Sequence, residues 1–432
     1  MLRFAARKCC AAPPCNHLIH ERLTMSKHRF ARVAVLVAAL CLPFAATYAA
    51  DAKKEEFARE VVAKPLNAVS DLMKAQKYAE AMEKVKEADA AKDKTAYESF
   101  TIERTRAAVA QSSGDMATLA KALEALLATD RLDANERPMF MRTLYASYYN
   151  SKEYAKAIPW MAKFIAEGNK DEQVRVLLLQ SYYVTNDYPN VIKTLRAEFA
   201  EQIAAGKTPS EDHINMLRNC GAKTKDKALY AEALDMLVTY YPSAEYWDDV
   251  LSRLKVGERL DLDAYRLRVL TLKAMSEAEY KDMALLATTA ALPAEAKKAL
   301  ELGYKAGALP GNNASDNKKL LDKATKSAAD DLKSIAQGEA TALKSKEGNG
   351  LMNVGMAYVS HGQFDKGISL LEQGLKVGKL KQPEEGKLHL AIAYAMGGRK
   401  ADAVATLKTI QGGGEGMADL VRYWIIYLNN AK

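Results

Sequence analysis

Beyond its first fifty residues this 432-residue chain is almost without cysteine: Cys9, Cys10, Cys15 and Cys41 lie in the leader, and only Cys220 remains. No disulfide can form within that body, so packing alone must hold it together. Beside Leu217 on a helical pattern, the lone thiol is expected to be a small buried residue. Histidine is as sparse. His213, His361 and His389 stand far apart and form no HxxxH or HExxH pair, so a zinc site has no support. His361 falls in a turn between helices and is read as solvent-exposed. There is no GxSxG elbow. Gly206-Lys207-Thr208 has Glu201 where a phosphate-binding loop needs glycine, and no strand precedes it. No period-two alternation marks a strand. Carboxylates are plentiful, yet no spacing pairs two of them in a cleft. Catalytic residues, cofactors and metals are therefore expected to be none.

Net charge is missing as well, once the leader is set aside. The whole chain carries 62 Lys and Arg against 54 Asp and Glu. Residues 1–50 hold seven of the bases (Arg3, Arg7, Lys8, Arg22, Lys27, Arg29, Arg32) and one acid, Glu21. The remainder has 55 bases and 53 acids, a net of +2, which removes the electrostatic case for nucleic acid.

The leader itself reads as a secretory signal peptide. Lys27, Arg29 and Arg32 precede an apolar stretch from Val33 to Ala46, which is too short to span a bilayer at about 20 residues. Small residues in Thr47-Tyr48-Ala49 place cleavage after Ala49, or next after Ala50. Leu40 before Cys41 argues against lipidation. Met25 opens a well-formed signal by itself, so 1–24 reads as an over-extended start; an organellar transit peptide is the competing reading. Residues 25–49 are then the signal peptide, and a periplasmic location is expected, with no integral membrane span after cleavage.

What the body does contain is a helical pattern, with apolar residues at i, i+3, i+4 and i+7 in almost every window. Helices are short and paired: 66–75 with 78–88, 100–111 with 116–127, 138–150 with 154–166, 172–185 with 188–204, and 213–220 with 228–241. Breakers or polar residues separate the partners, as at Gln76-Lys77, Ser113-Gly114-Asp115 and Asn186-Asp187. Each second helix opens on a bulky residue with a small one three or four places on, such as Tyr78 with Ala81 or Tyr154 with Ala157. One stretch repeats outright: SYYNSKEYAKAI from Ser147 returns as SYYVTNDYPNVI from Ser181, a period of 34. Fixed periods of this size mark solenoids.

These features resemble the tetratricopeptide repeat (TPR) family. The clearest unit, NVGMAYVSHGQFDKGISLLEQGL from Asn353, places Gly355, Tyr358, Gly362, Phe364, Gly367, Leu371 and Gly374 on the signature spacing. A second unit follows at 36 residues, from Tyr358 to Tyr394 and Gly362 to Gly398, with Lys400 in place of the corner aromatic. Corner residues Tyr78, Met116, Tyr154, Tyr188 and Tyr230 extend the pattern upstream. The family's usual alanine is replaced by glycine at 367 and 374. The resemblance implies an all-α, TPR-like α-solenoid and a protein or peptide partner.

Three segments follow: an array over 50–245, a less regular helical region over 246–345, and a C-terminal pair with a closing helix over 346–432. Within 246–345, helices are expected at 263–275, 279–290, 294–304 and, as one long charged helix or two, 318–344; the closing helix is expected at 419–428. Tyr148, Tyr182, Tyr358 and Tyr394 fall where rings pack between helices. Tyr149 and Tyr183 come one residue later. In this family that position faces the concave groove, as do Asn349, Asn353 and Met356 in the C-terminal pair, and the five together form the expected partner groove. The resulting expectation is a non-catalytic scaffold or adaptor of a bacterial envelope complex. Alternatives are an accessory subunit for glycan or peptidoglycan processing or export, and a hydrolase whose site lies in 246–345. Partner identity and oligomeric state are left open.

Overall fold

The computed structural model describes residues 56–311, 313–345 and 347–430, so the readings of the over-extended start and the signal peptide lie outside the described residues. The described residues form α-helices with no strand, and none is long and apolar enough to cross a membrane. The chain divides into two compact units, 1–186 and 187–432. The dividing line falls in the turn at Asn186-Asp187, inside the second copy of the 34-residue repeat.

The first unit contains α1 (Glu60–Lys74), α2 (Tyr78–Asp89), α3 (Ala96–Ser113), α4 (Met116–Leu127), α5 (Glu136–Asn150), α6 (Tyr154–Ala166) and α7 (Glu172–Val184). Consecutive helices pack in chain order. Val62, Val69, Ala81, Val85, Ala88, Ile102 and Val109 form one core, and Leu123, Met141, Leu144, Tyr145, Met161 and Phe164 belong to a second, larger one. Burying the larger of these side chains supplies roughly 1.5–3 kcal/mol each, the largest stabilising contribution among the described residues, which hold a single cysteine.

The second unit contains α8 (Tyr188–Ala204), α9 (Glu211–Thr224), α10 (Lys227–Tyr240), α11 (Ala244–Arg253), a 3-10 turn (Glu258–Leu260), α12 (Asp261–Thr271), α13 (Glu277–Thr289), α14 (Pro293–Lys305), α15 (Ala314–Ser345), α16 (Gly348–Ser360), α17 (Phe364–Val377), α18 (Pro383–Met396), α19 (Lys400–Leu407) and α20 (Met417–Asn430). The long charged segment is one helix of 32 residues. Helix α11, with Trp247 buried, is an element that the sequence pattern leaves unassigned.

One turn geometry recurs across both units. Gln76, Gly114, Lys152, Asn186, Gly362 and Gly398 have φ between 57° and 79°, each two residues before a corner residue. After five of these residues the next amide donates back to a first-helix carbonyl five residues earlier: Lys77 to Leu72, Asp115 to Ala110, Glu153 to Tyr148, Gln363 to Tyr358 and Arg399 to Tyr394, at 2.8–2.9 Å. These are Schellman caps, which satisfy carbonyls that the ending helix leaves orphaned. Lys225 adopts the same geometry at φ 58°, and Asp226 donates to Gly221. The corner of that pair is therefore Lys227, not Tyr230, which lies within the first turn of α10.

Helix α20 packs on α19, the helix before it, and also returns to α10 and α12. The Tyr423 ring meets Trp247 edge-on at 6.2 Å, and Asn430 Nδ2 donates to the carbonyls of Val238 and Thr239 at 3.2 and 3.0 Å. The Gly257 amide donates to the Glu415 carbonyl at 3.0 Å. Gly416 makes this possible: φ is 77° and a Cβ there would lie 2.0 Å from the Lys255 carbonyl oxygen. Farther along, Arg259 binds Glu385 of α18 through two hydrogen bonds of 2.7 Å. The solenoid of the second unit thus closes upon itself, because α20 carries Leu420, Trp424 and Leu428 on one stripe that needs cover.

Candidate functional site

The expected groove tyrosines lie on α5 and α7 of the first unit. Tyr149 on α5 donates its hydroxyl to Gln180 Oε1 on α7 at 2.9 Å, and its ring sits edge-on against Tyr154 at 5.2 Å. Burial raises its pKa. Tyr183 lies one turn beyond Gln180 and is half-buried. Val176, 40% exposed, lies one turn before Gln180 on α7, and Met139, 37% exposed, lies on α5. Arg142 joins them across the gap, pairing with Asp171 at 2.8 Å and covering the Phe164 ring at 5.7 Å. The combination of part-exposed rings, amide groups and apolar side chains suits an extended chain, which needs contact area and hydrogen-bond partners.

The C-terminal trio behaves differently. Met356 is 5% exposed and belongs to the core, because α14 and α18 both pack against α16. It is not available to a partner. Asn349 spends its amide on the α17–α18 loop, donating to the Lys379 carbonyl (3.4 Å) and accepting from the Lys381 amide (3.2 Å). Asn353 alone is exposed.

The packing tyrosines reveal a device that the sequence pattern does not announce. Tyr148 is buried and donates to Glu124 at 2.7 Å, with Lys156 over its ring at 5.4 Å. Tyr358 donates to Glu339 at 2.6 Å under Lys366 at 4.3 Å, and Lys366 pairs with that same Glu339 at 2.7 Å. Tyr394 donates to Glu372 at 2.6 Å under Arg399 at 4.4 Å. In each case the carboxylate belongs to the helix before, and the cation follows the tyrosine by five to eight residues. Burial and the bond to Glu372 push the Tyr394 hydroxyl up to about 12. A glutamate 19–24 residues ahead of each tyrosine is the signal that could have found it.

The irregular region does bring carboxylates together, in an arrangement that is already filled. Arg266 on α12 donates to Glu295 on α14 at 2.7 and 2.6 Å and also to Asp263. The side chains of Asp263, Arg266 and Glu295 are 1%, 5% and 9% exposed. His389 Nε2 of α18 lies 3.3 Å from Asp263 Oδ2. Burial works to raise Asp263, but the charges of His389 and Arg266 outweigh it and leave its pKa below the ordinary value. Arg266 thus takes up the buried carboxylates of both Asp263 and Glu295. His361 also departs from expectation: its side chain is only 9% exposed and Nε2 lies 2.8 Å from Asp331. Cys220 is fully buried, and burial pushes its thiol up to about 11.

No family model and no curated protein matches this chain. Solved structures similar to it include a tetratricopeptide repeat protein from Parabacteroides merdae (8% identity, TM-score 0.24, covering 76% of this chain and 99% of that one). Others are the P58(IPK) TPR domain (12%, 0.21, 86% and 99%) and the TPR2AB domain of yeast Sti1 in complex with a pHSP90 (15%, 0.22, 69% and 94%). Similarity at this level assigns no partner.

Proposed function

We propose that this chain is a non-catalytic scaffold or adaptor, exported to the bacterial periplasm, that holds a protein or peptide partner on the face formed by α5 and α7. The observation that carries the reading is the pair Tyr149 and Gln180. Together they bridge two repeat units at a surface where apolar side chains remain exposed. The leader with Lys27, Arg29 and Arg32 ahead of Val33–Ala46 supports export, and a body stabilised without disulfides is compatible with it. A hydrolase centred on 246–345 is disfavoured by Arg266, which occupies both buried carboxylates there. Pull-down from envelope extract with the mature chain tests the proposal. Capture of a defined partner, lost in the Tyr149→Ala plus Tyr183→Ala variant while helicity is kept, is the expected result. Retained capture refutes the assignment of the face. Cell fractionation tests export separately, and a cytoplasmic chain would overturn it.

A further inference from the structure

A cleft of about 640 Å³ lies in the second unit. The end of α17, the 378–382 loop, the first turn of α18 and the last turn of α19 line it, and its mouth is open. Its floor is apolar, from Leu375, Leu380, Pro383 and Ala405, with Thr406 and Thr409 on the wall. Its size falls within the usual range of binding pockets. The charge around it is one-sided. Lys376, Lys379, Lys381 and Lys408 are exposed, and among the described residues none of the four makes an ion pair. The nearby acids are already committed: Glu384 to Lys387 (2.8 Å) and the Gln411 amide, Glu385 to Arg259, and Asp402 to Arg399. Glu384 is kept below its ordinary pKa by Lys387, so it stays ionised and bound.

The loop is built rather than loose. Gly378 has φ 70° and ψ −150°, and Lys379 has φ 56°, an uncommon conformation for a side chain with a Cβ. Asn349 holds the backbone on both sides of Leu380 through the Lys379 carbonyl and the Lys381 amide. Gly348 presses underneath, where a Cβ would lie 2.5 Å from the Gly378 carbonyl oxygen. The backbone is held while the exposed Lys379 and Lys381 make no ion pair among the described residues, and Lys379 lines the cleft.

We infer that this cleft binds an acidic peptide segment, seating an apolar side chain on Leu375, Leu380 and Ala405 with carboxylates against Lys379, Lys381 and their neighbours. The apolar floor beside unpaired cations selects an anion with an apolar neighbour, and the open mouth admits a continuing chain. This rests on the scaffold reading but uses a different surface, so the two fail separately.

The test is fluorescence anisotropy on the full mature chain. The probe is a labelled short peptide of two leucines flanked by aspartates, and its counterpart has asparagines instead. The aspartate peptide binds, salt weakens it, and the asparagine peptide does not bind. Lys379→Glu plus Lys381→Glu weakens binding by about tenfold or more, as does Ala405→Trp, which fills the floor without touching charge. Lys323→Glu plus Lys326→Glu, on exposed α15, leaves it unchanged. Equal binding of all variants, or of both peptides, overturns the inference. So does binding of vesicles of anionic lipid in place of the peptide, lost in the same lysine variant. If the tyrosine variant loses its partner while this probe binds no cleft, the scaffold reading stands and the inference falls.

Discussion

Helices α16 and α17 approach more closely than the alanine usual in this type of repeat would allow, and that gives a sharp prediction. A Cβ on Gly367 would lie 2.6 Å from Val359 Cγ2, 2.7 Å from the Gly355 carbonyl oxygen and 2.9 Å from the Val359 amide nitrogen. Two of those three atoms are backbone and cannot step aside, so Gly367→Ala must push the helices apart. Overpacking of this kind costs about 1–3 kcal/mol, and the firm backbone obstacles place it near the upper end. The better helix propensity of alanine returns about 1 kcal/mol, leaving a net loss of about 2 kcal/mol. Gly338, inside α15, is the matched control: its Cβ would meet only Val354 Cγ2, at an ordinary 3.7 Å. Gly338→Ala should gain up to about 1 kcal/mol. Urea unfolding followed by far-UV circular dichroism reads both changes. With a slope of about 3 kcal/mol per molar, the transition of the second unit moves down by about 0.7 M for Gly367→Ala and slightly up for Gly338→Ala. A Gly367→Ala protein as stable as the parent would refute the close approach and reduce residue 367 to a position that only needs to be small.

Four further outcomes follow from the same geometry. Arg266→Met takes the guanidinium from buried Glu295 and leaves buried Asp263 with His389 alone, and should cost about 3–5 kcal/mol in thermal unfolding, whereas replacing all three by apolar residues of similar volume should recover most of it; a tolerated single change would show that water reaches the cluster. Tyr394→Phe removes the hydroxyl bond to half-exposed Glu372 and should cost about 1 kcal/mol in urea unfolding, with Lys323→Glu as a neutral comparison. His213 has its pKa raised by the 2.8 Å bond to Glu198. Its contribution is full below the unfolded value of about 6.5 and is lost as pH rises through the higher folded value, so the parent should be stabilised over His213→Gln at pH 6 and much less at pH 8; a constant difference across that range would contradict the pairing. Cys220 should resist thiol reagents at pH 8 in the native chain and react promptly once urea unfolds it.

Much of this architecture is legible in the sequence because paired amphipathic helices need only a period, and periods survive in composition. Tyr148, Tyr358 and Tyr394 hold the packing position of the repeat and are buried. The turn conformation is not legible, since Gln76, Lys152, Asn186 and Lys225 take up the left-handed geometry without the glycine that usually marks it. That is why the bulky-residue pattern points to Tyr230 for a corner that Lys227 occupies. Met356 departs from its expected place for another reason. Its position on one face of α16 is set by the helix, but whether that face meets solvent depends on α14 and α18, which the local pattern does not encode. Asn349 shares the same face and instead secures a loop 30 residues away. The return of α20 to α10 and the meeting of Asp263 with His389 join residues more than 120 positions apart, beyond the reach of any periodicity. The carboxylate–arginine cluster is hidden likewise: no spacing announces that Glu295 will meet Arg266.

Pull-down from envelope extract, comparing the parent mature chain with the Tyr149→Ala plus Tyr183→Ala variant, tests the central claim most directly. The predicted result is a defined protein captured by the parent and lost by the variant, with circular dichroism showing helicity unchanged. Equal capture by both chains would contradict it.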